Sequence, residues 1–82
     1  MDVKNAWEIV KKNNPGMKPF TCNEGRDHYI FSLVPNNLAK NDCFANGAVY
    51  MVDKKTGEYK EGPWTIALNE PLVKVLDVSI FK

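Results

Sequence analysis

The sequence predicts an α+β domain: an N-terminal helix packed on an antiparallel sheet of three to five strands, with a short helix near the C-terminus. Apolar residues recur at helical spacing from Val3 to Val10. Two runs rich in β-branched and aromatic residues, His28–Val34 and Ala48–Asp53, read as strands. Between Ala48–Asp53 and Glu58–Lys60 lies Asp53-Lys54-Lys55-Thr56-Gly57, which marks a hairpin turn. A helix laid on a sheet is the arrangement that hides both apolar faces. With 82 residues the chain forms one domain, 1–82, and holds a single core.

The elements follow in order. Asp2 to Asn13 reads as a helix, with Val3, Ala6, Trp7 and Val10 on one face and Ile9 at its edge. Asp2 caps it, Lys11 and Lys12 suit its C-terminal dipole, and Asn13-Asn14-Pro15-Gly16 stops it. Lys4 and Glu8 stand four apart on the polar face. Met17–Cys22 reads as a short strand that Pro19 confines to an edge or to the strand start, and Asn23–Asp27 as a turn. In His28–Val34 the residues Tyr29, Phe31 and Leu33 form the core face, and the apolar Ile30 and Val34 on the other face make this strand central.

Pro35–Gly47 is an asparagine-rich loop, long for so small a domain, whose Leu38 and Phe44 are expected to tuck onto the core. Gly57 falls where the hairpin needs a positive φ. His28–Val34, Ala48–Asp53 and Glu58–Lys60 are expected to form the centre of the sheet. Gly62-Pro63 breaks the last of these, and Trp64–Leu68 continues as an extended piece. Asn69-Glu70-Pro71 carries a helix-start signature, which predicts a helix over Pro71–Leu76 and then an extended tail. The β-branched Val73, Val75, Val78 and Ile80 support an all-strand alternative for this stretch. The expected core is Val3, Trp7, Val10, Tyr29, Phe31, Leu33, Val49, Met51, Ile66, Leu72 and Leu76.

Composition narrows the function. Eleven basic against ten acidic residues give a net charge of +1, without the basic excess that nucleic-acid binding draws on. The apolar runs are too short to span a membrane. The N-terminus has neither the apolar segment nor the cleavage site of a secretory signal, so the expected location is the cytoplasm. Cys22 and Cys43 are then expected as thiols, with a disulfide as the alternative. His28 is the only histidine; its neighbour Asp27 points to the opposite strand face, so it reads as a surface or strand-edge residue. The acids follow no metal-ligating spacing and the glycines no phosphate-cradling motif. No catalytic, cofactor-binding or metal-binding residue is assigned, and the chain is not read as an enzyme. The small basic cluster Lys54, Lys55 and Lys60 is offset by Asp53, Glu58 and Glu61.

What remains is a partner surface. Trp7, on the apolar helix face, reads as core, whereas Trp64 follows a Gly-Pro break and is the best anchor for a partner protein. Tyr59 and Glu61 lie near it in sequence, and Asn41 and Asp42 occupy the long loop; these five complete the candidate partner-binding set.

The stretch Gly47-Ala48-Val49-Tyr50-Met51-Val52-Asp53-Lys54-Lys55-Thr56-Gly57-Glu58-Tyr59 reads as strand, Asp, two polar residues, Thr-Gly-Glu, strand, and Leu68-Asn69-Glu70-Pro71-Leu72 follows. This resembles the small immunity-protein-35-type domains of bacterial toxin–immunity systems. The resemblance covers most of the chain, including the N-terminal helix and a strand like His28–Val34. It implies binding and neutralisation of a partner protein without catalysis, and it carries no site residue across. The expected function is therefore a small protein-binding inhibitor, immunity-like or phage-encoded, that occludes a partner and is itself a monomer or small homo-oligomer. The rival expectation is a structural or assembly subunit that acts through oligomerisation.

Overall fold

The computed structural model describes residues 2–37 and 47–81. In chain order these form α1 (Val3–Asn13), β1 (Met17–Gly25), β2 (His28–Pro35), β3 (Ala48–Asp53), β4 (Tyr59–Pro63), a 3-10 turn at Trp64–Ala67, β5 (Leu72–Leu76) and a last 3-10 turn at Val78–Phe81. The five strands make one sheet in the order β4-β3-β2-β1-β5, antiparallel throughout. The domain is α+β: one N-terminal helix on an antiparallel sheet, with short 3-10 turns late in the chain.

The helix starts where the sequence provides a cap: the Asn5 N–H donates to Asp2 Oδ1 at 2.9 Å. Gly16, at φ +83°, turns the chain into β1. The apolar stripe Ala6, Trp7 and Val10 lies on Cys22, Tyr29, Phe31, Leu33, Tyr50 and Val52. Phe81 returns to this cluster and closes a three-ring contact, with centroids 5.8 Å apart for Trp7–Phe31, 5.6 Å for Trp7–Phe81 and 5.7 Å for Phe31–Phe81. Strand alternation sends Ile30, Val34 and Met51 to the other face, where they are also buried. β2 is thus covered on both faces, as its double apolar pattern requires.

Several expectations are corrected. Pro71–Leu76 is not a helix: Leu72–Leu76 is β5, paired with β1 from Cys22 to Gly25. The free backbone edge of β1 and the β-branched Val73 and Val75 override the local helix signature, so the all-strand alternative holds for Leu72–Leu76, whereas the tail is the 3-10 turn Val78–Phe81 and neither strand nor extended. β1 runs for nine residues and lies inside the sheet. Pro19 is tolerated there because β5 pairs only with Cys22–Gly25, so no neighbour needs a donor from Pro19 on that side. The ladder to β2 also shifts register between Pro19 and Thr21. Asn23–Asp27 is not all turn, since β1 continues through Gly25. β4 is an edge strand, not part of the centre. Trp64–Ala67 is a 3-10 turn in place of the extended piece. Ile66 and Leu72 are 40% and 63% exposed, so neither is core, whereas Ala6, Cys22, Ile30, Val34, Tyr50 and Val52 are. The loop residues Leu38 and Phe44 lie outside the described residues.

One topological fact organises the rest. β4 and β5 are consecutive in sequence yet sit at opposite edges of the sheet, so residues 64–71 must cross a sheet face. They take the face that α1 leaves free, where Ile30 and Val49 line a groove with Trp64, Leu68 and Leu72.

The burial pattern sets an expected contrast. Phe31→Ala removes a fully buried ring and should cost about 3–5 kcal/mol. Ile66→Ala, at a half-exposed position, should cost less than about 1 kcal/mol. Urea unfolding of the two variants checks this, and similar costs for both would contradict the placement of Ile66.

Candidate protein-binding surface

The crossing segment is held down by a carboxylate. Glu70 Oε2 accepts the backbone N–H groups of Asp27 at 2.6 Å and His28 at 3.2 Å, and Oε1 lies 3.0 Å from His28 Nδ1. The Arg26 N–H donates to the Pro71 carbonyl at 2.9 Å beside it. Gly25 makes the approach possible, because a Cβ there would stand 2.4 Å from Glu70 Cγ. Burial pushes the Glu70 carboxyl up, but the Asp27 N–H, the His28 ring and the His28 N–H together outweigh it and hold the pKa below the ordinary 4.5.

His28 is therefore neither a surface nor an edge histidine. It sits on central β2 with its side chain only 16% exposed, Glu70 at Nδ1 and Asp53 Oδ2 3.8 Å from Nε2. The two carboxylates lie at opposite nitrogens of the ring, so the three groups do not converge on one point. Among the described residues, no three His, Cys, Asp or Glu side chains gather to hold a metal ion. Asp53 Oδ1 accepts the Thr56 and Lys55 N–H groups, and these bonds lower its pKa. The arrangement is a clamp between a turn, a hairpin and the crossing segment.

With its ends fixed, the segment presents apolar side chains to solvent. Trp64 is 56% exposed and Leu68 62%, and the adjoining β5 adds Val73 at 58% and Val75 at 76%. Trp64, Leu68 and Leu72 overhang a groove of about 330 Å³ whose floor includes Ile30, Val49 and Asn23. Contiguous apolar exposure of this kind, rimmed by polar residues, marks interaction surfaces on small proteins.

Among the described candidate residues, Trp64 lies apart from Tyr59 and Glu61. Trp64 is placed as expected, exposed at the end of β4, with its N–H on the Gly47 carbonyl at 2.7 Å. Tyr59 packs against the α1-side core, where its hydroxyl donates to Glu61 at 2.9 Å and accepts from Asn14 at 2.9 Å. Tyr59 and Glu61 thus tie the end of α1 to β4 on the side away from the groove. Asn41 and Asp42 lie outside the described residues. The lysine cluster is broken up: Lys54 Nζ is 2.6 Å from Glu24 Oε2 and lies over the Tyr29 ring at 5.1 Å. Cys22 is a buried free thiol, and burial, with Glu24 adding to it, pushes its pKa to about 12. Its possible partner Cys43 lies outside the described residues. Sequence reasoning missed Leu68, Val73 and Val75 as surface residues. The available signal was the run Leu72-Val73-Lys74-Val75-Leu76, which has one polar residue and so cannot pack both faces of an edge strand.

Because its folded pKa is lowered, Glu70 stabilises the fold above pH 4.5, and that contribution is lost as pH falls through the folded value. Glu70→Gln should therefore cost about 1 kcal/mol at pH 7 and progressively less below pH 4.5. Urea midpoints of both proteins at pH 7 and pH 3.5 measure this, and parallel losses would refute the clamp. Gly25→Ala should displace the same carboxylate and cost on the order of 1–3 kcal/mol. In Glu70→Gly, which vacates that space, the added cost of Gly25→Ala should shrink, as a double-mutant cycle would show.

Comparison with protein-family models, curated proteins and solved structures returns no match to this chain.

Proposed function

We propose that the protein is a small non-enzymatic inhibitor, immunity-like or phage-encoded, that works in the cytoplasm by occluding a surface of a partner protein. The observation that carries this reading is the exposed apolar rim of Trp64, Leu68 and Leu72 over the groove on the face that α1 leaves uncovered, with Val73 and Val75 exposed on the adjoining β5. A domain with so little core gains nothing in its own stability from exposing these side chains. A tryptophan beside a Pro-set turn is a rigid, large anchor that loses little entropy on binding. The Glu70 clamp supports the same reading, because a surface already held in place costs less to order on association. The resemblance of the Gly47–Tyr59 stretch to immunity-protein-35-type domains points the same way. The second reading, an assembly subunit, draws on the outer edge of β5, with which no described strand pairs and along which copies of the chain could associate.

Trp64→Ala distinguishes a contact residue from a core residue. At 56% exposure it should lower the melting temperature by only a few degrees, about 1 kcal/mol. It should release a co-purifying protein that wild type retains in stoichiometric amount after native isolation. Light scattering on the purified wild-type chain should give a monomer. A closed homo-oligomer that Trp64→Ala breaks would overturn the inhibitor in favour of the assembly subunit, and collapse of the fold would remove Trp64 from the surface.

A further inference from the structure

We propose, resting on the protein-binding reading above, that β5 captures an extended segment of the partner as a sixth strand. That segment carries an apolar–acidic–apolar run whose carboxylate stands opposite Lys74. The inner edge of β5 is used by β1, and no described strand pairs with its outer edge. Leu72–Leu76 contains neither proline nor glycine, so the alternate residues whose backbone groups point away from β1 each offer an N–H and a C=O to that outer edge. An extended chain adds to such an edge through main-chain hydrogen bonds, and alternate side chains then set its specificity.

The register defines what those side chains meet. Leu76 stands opposite the buried Cys22 and Lys74 opposite Glu24, which places both on the α1 side. Val73 and Val75 face the other way, at 58% and 76% exposed. Lys74 has lost its natural cross-strand partner, because the Glu24 carboxylate is taken by Lys54 at 2.6 Å. Among the described residues Lys74 makes no ion pair. A partner strand with valine-like residues opposite Val73 and Val75 and an acid between them would cover the apolar pair and supply the missing carboxylate.

The same lysine argues against a second copy as the occupant. Leu72-Val73-Lys74-Val75-Leu76 reads the same in both directions, so the antiparallel self-pairing that matches the whole strand is centred on Lys74. It sets two ammonium groups directly opposite each other, which is destabilising. Moving the two-fold axis to Val73 brings in Pro71, which has no N–H, and moving it to Val75 places Asp77 against Val73. Lys74 thus rejects the identical strand and selects a chain with an acid at that position.

Short blocked peptides with Val-Glu-Val or Val-Lys-Val at the centre, flanked by threonines, test this against the ¹⁵N-labelled full chain. The expected result is saturable amide shifts centred on Leu72–Leu76, with the glutamate peptide about three-fold tighter, as one cross-strand charge pair predicts. Lys74→Gln should remove the preference and Lys74→Glu should invert it; Lys74 is exposed, so both variants should fold. A preference unchanged by Lys74→Glu, or shifts centred on Trp64 and Leu68 without β5, would overturn strand capture. So would concentration-dependent shifts of the β5 amides without peptide, which would mean self-pairing. If neither peptide shifts β5 while Trp64→Ala still releases the co-purifying partner, the inhibitor reading stands and strand capture falls.

Discussion

The contact between the Glu70 carboxylate and the N–H groups of Asp27 and His28 is the constraint on which the second half of the molecule depends. Because β4 and β5 occupy opposite edges, the chain between them has to traverse a sheet face without regular ladder bonds of its own. A traverse of this kind leaves backbone polar groups and apolar side chains poorly placed unless a strong bond fixes its end. The carboxylate does this at the β1–β2 turn, next to the site where β5 begins to pair with β1. It is a charge-assisted bond to two donors at once, stronger than neutral turn bonds. The bond fixes the end of the crossing segment beside the start of β5 and covers the His28 ring.

The α1 side of the fold was legible in the sequence because local pattern and tertiary demand agree there. Trp7 and Val10 are spaced for a helix face, Tyr29, Phe31 and Leu33 alternate, and each finds the partner that its pattern calls for. Asp2 and Gly57 fall where a cap and a left-handed turn are needed. On the other side, pattern and outcome separate. Asn69-Glu70-Pro71 has the chemistry of a helix start, yet Glu70 spends its carboxylate on donors more than forty residues earlier in the chain. No local window contains that information. For Ile66 and Leu72 the failure is of another kind: apolar character predicts burial only on average, and a domain this small has too little interior for all its apolar residues.

The candidate site was legible in one residue. Its place after Gly62-Pro63 singles out Trp64, and the structure keeps it exposed. Tyr59 and Glu61 lie near it in sequence, but strand alternation and the bond to Asn14 carry them to the helix side. The residues that belong with Trp64 in space are Leu68 and Leu72, brought there by the crossing segment. Their common feature in sequence is apolar character without a clean alternating partner face, a weaker signal than any motif.

The strand order also sets a timetable. β1 with β2, and β3 with β4, are hairpins of neighbouring segments, and such units form within about 1–10 μs. The seam that completes the sheet joins Cys22 to Leu76, and Phe81 must travel back to Trp7 to close the ring cluster. Closure over such a span comes late, since its entropy is lost before any contact compensates it. Until then the outer edge of β1 from Cys22 to Gly25 is bare and the Trp7–Phe31 contact lacks its third ring. In a chain whose β5 has not docked, a foreign strand could occupy the place reserved for it, so the faster that seam closes, the less room there is for misassembly.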